Sequence, residues 1–447
     1  MRKVFSLLSI ILISAFLFFV NQSNAQISIG GTPESFNLKL DDNIEVKDFQ
    51  KIDIEKVSLQ DEIRDTDGEL YRYGVSIKAG FSINSVGTWT NLSNGDRIWR
   101  LKLHAEDALA IGVYYDDFWL PTGGELYLYG DSKAQVIGAF TSINNPPSGI
   151  FANELIYGET VILEYYEPKA VKGDAIINIS EIAYGYRSVY GDNFDRGGTY
   201  GSSESCEVDA ICSEANNWRD QQRGVARISI KEGATYGWCT GSLVNNTDTD
   251  CLPYFLTADH CAGSASMEDL LAWIFYFNYE RQNCNDTNEP EPIANTITGA
   301  VKKARGSMSS GSDFYLVLFN SYLPLEYDVY FNGWRTVNAS STSGVGIHHP
   351  AGDVKKISTY TNTLTNWGNT HWRVTWSPTS SGAGVTEGGS SGSPIFNNNG
   401  YIVGTLTGGL SACVTGGAGP GTGPNQPDKY GKFSYSWQSN GSSAAYR

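Results

Sequence analysis

Cysteine is missing from the first 205 residues, and all seven cysteines lie between Cys206 and Cys413. A chain built this way divides near residue 200, with any disulfides confined to its second part. Metal-binding patterns are missing too. There is no HExxH and no paired CxxC, and the adjacent His348 and His349 would point to opposite faces of a strand. Neither a metal nor another cofactor is expected. Positive charge is scarce: 32 Lys and Arg stand against 48 Asp and Glu, a net charge of −16. Nucleic acid is thereby excluded as a partner, because phosphate binding needs a basic surface. No long apolar run recurs after Val20, so no stable membrane anchor is expected.

What is present begins with an address. Arg2 and Lys3 precede an apolar run from Val4 to Val20, and Ser23 and Ala25 occupy the small-residue positions of a signal-peptidase site. Residues 1–25 read as a signal peptide cleaved after Ala25, which places the mature chain outside the cytoplasm, extracellular or periplasmic, where disulfides persist.

The chain is long enough for two or three domains. Residues 26–200 show period-two patterns. In "RIWRLKLHA", Trp99, Leu101 and Leu103 share a face, and "GELYLYG" and "TVILEYYEP" alternate likewise between turn signals such as "NNPPSG". These patterns predict a β-sandwich with a single histidine, His104, and no clustered chemistry. "DRGGTYGSSES" (Asp195 to Ser205) reads as a cleavable linker. Residues 201–447 are also strand-rich, as in "CLPYFLTADHC", "DFYLVLFN" and "GYIVGTLTGG", and "MEDLLAWIFYF" is ambiguous between helix and strand. The fold class is all-β.

Three stretches of this second part carry chemistry. "FLTADHCAG" ends an apolar run on His260, a possible general base. "SDFYLVLFN" puts Asp313 at the head of an apolar strand, where a buried carboxylate would need a partner such as an imidazole N–H. "TEGGSSGSPIF" holds serines in a glycine-rich turn that can aim successive backbone N–H groups at an oxyanion. Each signal is weak alone. Ser390 and Ser393 rival Ser391 as nucleophile, and His348 and His349 rival His260 as base.

Together, in the order His260, Asp313, Ser391, they resemble the trypsin-like serine peptidases, and most of all the bacterial lysyl endopeptidases. Thr257-Ala258-Asp259-His260-Cys261 resembles that family's Thr-Ala-x-His-Cys, Asp313 to Leu318 its Asp-Phe strand, and Gly389-Ser390-Ser391-Gly392-Ser393-Pro394 its nucleophile turn. "CTGSLVNN" (Cys239 to Asn246), "IHHP" (Ile347 to Pro350) and "PDKYG" (Pro427 to Gly431) match further stretches. The resemblance implies a chymotrypsin-like double β-barrel over 201–447, preceded by a pro-region that aids folding and inhibits a zymogen. It also implies a His260–Asp313–Ser391 triad, with an oxyanion hole from the N–H groups of Gly389 and Ser391. The implied disulfides are Cys206–Cys413, Cys212–Cys284 and Cys239–Cys261. Cys251 is left over and is expected to be a buried thiol, with mispairing to Cys239 as the alternative. The protein would act as a monomer on protein or peptide substrates.

For substrate choice, trypsin's acidic position, six residues before the nucleophile, is Val385 here. The lysyl endopeptidases place an aspartate later, which corresponds to Asp428, with Gly408, Gly409 and Trp367 beside it. Thr407 stands where they carry a histidine that stacks on that tryptophan, a departure that could admit arginine as well as lysine. The family also continues past the end of this chain, so a fragment, or a second barrel closed differently, is expected. A competing reading is an inactive, protease-like binding protein or adhesin. It would be favoured by loss of a triad residue, and all three are present.

Overall fold

The computed structural model describes residues 28–187, 189, 201–285, 294–417 and 419–439. The signal peptide, its cleavage point after Ala25, and the linker residues Asp195 to Tyr200 lie outside them.

The alternation in the first half does build a sandwich. One sheet has six strands, in which Arg97–Ala105 lies between Val46–Phe49 and Thr160–Glu167 and also pairs with Thr88–Asn91. Trp99, Leu101 and Leu103 are buried in a core shared with Val113, Tyr115, Ile177 and Ile179 of the facing sheet. Period-two burial on both sheets is what the hydrophobic effect selects when two pleated faces meet. The helix Ile54–Asp67, for which the sequence offers little amphipathic pattern, is capped by Asp53 accepting from the Lys56 N–H and ended by Gly68 in the left-handed region.

The second half supplies two β-bodies, the first of them continuous with a sheet of the first half. In the first, Val225–Glu232, Thr235–Val244, Tyr254–Thr257, Phe314–Phe319, Ala300–Gly306, Ile274–Phe277 and Asn295–Thr298 enclose Ile228, Phe255, Trp273, Phe275, Val317 and Phe319. In the second, seven strands run in the order Lys356–Tyr360, Gly344–His348, Pro394–Asn397, Ile402–Gly409, Asp428–Lys432, His371–Val374 and Thr365–Trp367. The ambiguous "MEDLLAWIFYF" resolves into both possibilities. A short helix, Met267–Leu271, is held by a Ser266–Asp269 capping box, and the strand Ile274–Phe277 follows it.

The boundary near residue 200 is not a boundary in the sheets. Strand Tyr71–Ser82 of the first half pairs with Ile176–Gly185 on one side and with Thr235–Val244 of the second half on the other. An edge strand paired in this way is no longer open to foreign chains.

The three disulfides join Cys206 to Cys413, Cys212 to Cys284 and Cys239 to Cys261. The last closes a short loop around the histidine segment and contributes about 3 kcal/mol in the chain-entropy picture. Cys251 departs from expectation. It is exposed rather than buried, because it sits in a turn with φ +60° ahead of the strand Tyr254–Thr257 and not within the apolar run.

Candidate active site

The site lies where the two sheet bodies of the second half meet. His260 follows the strand Tyr254–Thr257, and the Cys239–Cys261 bridge ties its neighbour to the strand Thr235–Val244. Asp313 immediately precedes the strand Phe314–Phe319, which pairs with Tyr254–Thr257. Asp313 takes φ +54°, in a region Asp tolerates better than most residues, and this turn aims its carboxylate at His260. One oxygen accepts the His260 backbone N–H at 2.9 Å, and the other lies 2.7 Å from Nδ1.

Burial shapes both groups. It disfavours the charged imidazole, but the charge and hydrogen bond of Asp313 outweigh it, so the pKa of His260 is raised above the ordinary 6.5. For Asp313, burial pushes upward, yet His260 and the hydroxyl of Thr407 hold its carboxyl below the ordinary value.

Ser391 belongs to a turn buttressed from three sides. Its carbonyl accepts the Thr240 N–H at 2.8 Å and lies 3.7 Å from Sγ of Cys261, the residue after His260. Thr240 Oγ1 donates to the Gly389 carbonyl at 2.9 Å, and the Ala351 N–H to the Gly388 carbonyl at 2.6 Å. Gly389 takes φ +91°, and a Cβ there would lie 2.9 Å from the Gly352 nitrogen, so only glycine fits.

Of the rival residues, Ser390, His348 and His349 are engaged elsewhere, whereas Ser393 is wholly buried. Ser390 Oγ lies 2.8 Å from His348 Nδ1 and accepts the Glu387 N–H. His348 and His349 are wholly buried, and burial drives both pKa values down, that of His348 to about 3. His349 Nδ1 is engaged with the Asp353 carbonyl at 2.9 Å. Both are neutral rings packed beneath the turn. Val385, six residues before Ser391, is buried, and its carbonyl accepts from Ser358.

Asp428 begins the strand Asp428–Lys432 and lies opposite Gly409. It is 0% exposed and accepts from Trp376 Nε1, Thr386 Oγ1, and the N–H and Oγ of Ser411, at 2.6 to 3.1 Å. Burial raises its pKa, and those four donors oppose the rise. A Cβ on Gly409 would overlap an Asp428 oxygen at 1.9 Å, so the missing side chain keeps that wall thin.

Thr407 does more than line this wall. Besides its bond to Asp313, its hydroxyl lies 3.1 Å from His371 Nε2. His371 faces Trp367 across the pair Thr365–Trp367 and His371–Val374. An imidazole therefore does reach the aspartate's surroundings, through Thr407 and from the neighbouring strand. Sequence reading missed it because the pairing that brings it there is not local. Trp367 is partly exposed, between the cations of Arg373 and Lys429 at 5.6 and 5.5 Å from its ring.

Among the described residues no cluster of His, Cys, Asp and Glu is arranged to hold a metal ion, and no helix is long and apolar enough to cross a membrane.

A buried histidine–aspartate pair on one β-body and a glycine-rich serine turn on the other are the groups a serine endopeptidase uses. Residues 200–431 match the family described as "Lysyl endopeptidase, C-terminal domain". That match spans more than half of the chain, and the chain belongs to this family. The lysyl endopeptidase of Pseudomonas aeruginosa is 28% identical over 347 residues, 73% of this chain and 71% of that protein. Among solved structures, the serine endoprotease from Yersinia pestis overlaps at 12% identity and TM-score 0.32, over 49% of this chain and 62% of that one. Human heparin binding protein overlaps at 15% and 0.32, over 48% and 89%. The family match, and not these weak overlaps, carries the assignment.

Proposed function

We propose that this peptidase is exported, is held as a zymogen until the chain is cut between about Arg196 and Ser205, and then cleaves peptide bonds after lysine. His260 removes the proton of Ser391 Oγ as that oxygen attacks the carbonyl carbon before the scissile bond. The C–N bond then breaks, and the imidazolium returns the proton to the leaving amine. Asp313 fixes the tautomer that presents Nε2 as the base and stabilises the imidazolium. The N–H groups of Gly389 and Ser391 receive the oxyanion, each worth about 3 kcal/mol of barrier. Water repeats the sequence on the acyl-enzyme and releases the free enzyme.

The observation that carries the lysine reading is Asp428. It is fully buried and held by four neutral donors, with no basic side chain among these partners. A buried carboxylate held only by neutral donors is suited to a cation supplied by the substrate, and a lysine ammonium matches it. The test is digestion of a denatured protein mixture by the mature chain, with the new termini read by mass spectrometry. Cuts after lysine are expected. Cuts spread equally over lysine and arginine would assign Asp428 to basic residues in general, and cuts after apolar residues would refute its role.

A further inference from the structure

The strand that joins the two halves approaches the catalytic centre in a particular way. Tyr71–Ser82 runs antiparallel to Thr235–Val244, with Val75 opposite Thr235, Gly74 opposite Tyr236, Arg72 opposite Gly237 and Tyr71 opposite Trp238. Beyond Trp238 the second strand continues into Cys239, bridged to the neighbour of His260, and Thr240, bonded to the Ser391 carbonyl. Moving back from Arg72 through Tyr71 to Leu70 therefore moves toward the nucleophile.

The side chains agree with that placement. Leu70 is 2% exposed and belongs to the apolar cluster of Cys239, Cys261, Ala258 and Ala262, although it comes from the first half. Its Cγ stands 2.5 Å from where a Cβ of Gly237 would be. The Tyr71 ring covers Gly388, the residue before Gly389, and a Cβ there would come within 2.2 Å of Tyr71 Cδ2. Two glycines of the peptidase half are thus filled over by side chains of the other half. The first half holds the strand in position. Arg187 lies over the Tyr71 ring at 4.4 Å and donates to the Arg72 carbonyl, Arg72 pairs with Asp61 at 2.7 Å, and Tyr73 stacks on Trp238 at 4.2 Å.

Polarity identifies what the strand imitates. In peptide hydrolysis, the residues after the scissile bond depart with the amine and run away from the nucleophile with rising residue number. Leu70, Tyr71 and Arg72 run this way. We infer that they occupy the subsites for the residues after the cut, as an added β-strand, so that the first half inhibits by filling the leaving-group side of the cleft. This rests on the serine-peptidase reading above. The His260–Asp313 pair is already assembled in the uncleaved chain, so inhibition does not require a disordered triad. Glu69 falls where the residue before the cut would be. It is exposed and paired with Arg64, an anion where the proposed pocket takes a cation, so the strand is held without being a substrate. The same contacts define a preference of the mature enzyme: an aliphatic residue directly after the cut, and an aromatic one next.

The test compares the mature chain with a precursor made uncleavable in the linker, on two substrates. One is an N-acyl-lysine methyl ester, with nothing after the reacting carbonyl but methanol. The other is a peptide continuing for four residues beyond lysine. The precursor is expected to hydrolyse the ester within about threefold of the mature rate and the peptide at least 100-fold more slowly. Tyr71→Ala, and separately Leu70→Ala, should restore peptide cleavage by tenfold or more. Equal inhibition of both substrates, or no restoration by either variant, overturns the proposal. A readout that needs no precursor variant is the mature chain on Lys-Leu-Tyr and Lys-Asp-Asp peptides. A preference of about tenfold for the first is expected, and equal rates overturn the subsite assignment. A mature chain that hydrolyses neither ester nor peptide refutes the peptidase reading itself, and the proposal with it.

Discussion

Asp313 holds His260 at two points: one carboxylate oxygen accepts the histidine's own backbone N–H at 2.9 Å, while the other meets its Nδ1 at 2.7 Å. Ring and main chain are held by the same carboxylate, so the imidazole cannot turn without losing its Nδ1 contact. Asp313→Asn keeps the shape, and asparagine accepts the positive φ at this position. It should lower kcat on the order of 10⁴-fold through the wrong tautomer. The folded protein should persist, as checked by unchanged circular dichroism.

The pKa of His260 is raised, and as the proposed base it is expected to set the acid limb of the pH profile. The base must be unprotonated, so kcat/KM should rise with pH through a midpoint above 6.5, the ordinary histidine value. Because the Asp313 charge raises that midpoint against the effect of burial, the residual activity of Asp313→Asn should show a lower one. A midpoint that does not move would assign the limb to another group.

Thr407 links Asp313 to His371, and its hydroxyl is predicted to position the triad rather than to select substrate. Thr407→Val should reduce kcat about tenfold, the worth of one hydrogen bond to a charged group. KM for a lysine ester should be little changed, and Thr407→Ser should recover most of the loss. A rise in KM with kcat unchanged would return Thr407 to the substrate pocket.

Glu387, four residues before Ser391, has its pKa raised to about 7 by burial first, with Glu204 and Asp353 adding negative charge. Buried Glu207 is raised as well, by burial and by Glu387. An unfolded glutamate titrates near 4.5. Between there and about pH 7 the folded state binds more protons than the unfolded state, so stability falls as pH rises across that window. Glu387→Gln should therefore raise Tm at pH 8 and give little gain at pH 4.5, as read by thermal unfolding. A larger gain at the lower pH would contradict this sign.

Asp428→Asn removes the charge that would meet the substrate ammonium and leaves His260 and Asp313 untouched. A desolvated ion pair broken on one side costs about 3–5 kcal/mol. Cleavage after lysine should fall on the order of a hundredfold or more in kcat/KM, while labelling by a fluorophosphonate persists.

Much of this site was legible in the sequence because each of its parts is short and local. The residue types of "TADHC", of "SDF" and of "GGSSGSP" are fixed by a turn, a strand entry and a backbone cradle that each span a few positions. The alternation at Trp99, Leu101 and Leu103 revealed the sandwich for the same reason. What was not legible depends on long-range pairing. His371 reaches Thr407 only because their strands flank Asp428–Lys432, and Leu70 reaches the peptidase core only through the register of Tyr71 against Trp238. Cys251 is exposed in a turn where both it and Thr249 take positive φ, which the apolar run beginning at the next residue conceals.

The central claim is that Ser391 is the nucleophile of a working peptidase. It is tested most directly by treating the mature chain with a fluorophosphonate and locating the adduct by mass spectrometry of its peptides. The account predicts a single stoichiometric adduct on Ser391, lost together with peptide hydrolysis in Ser391→Ala. An adduct on Ser390 or Ser393, or no adduct on a folded chain that still hydrolyses peptides, would contradict it.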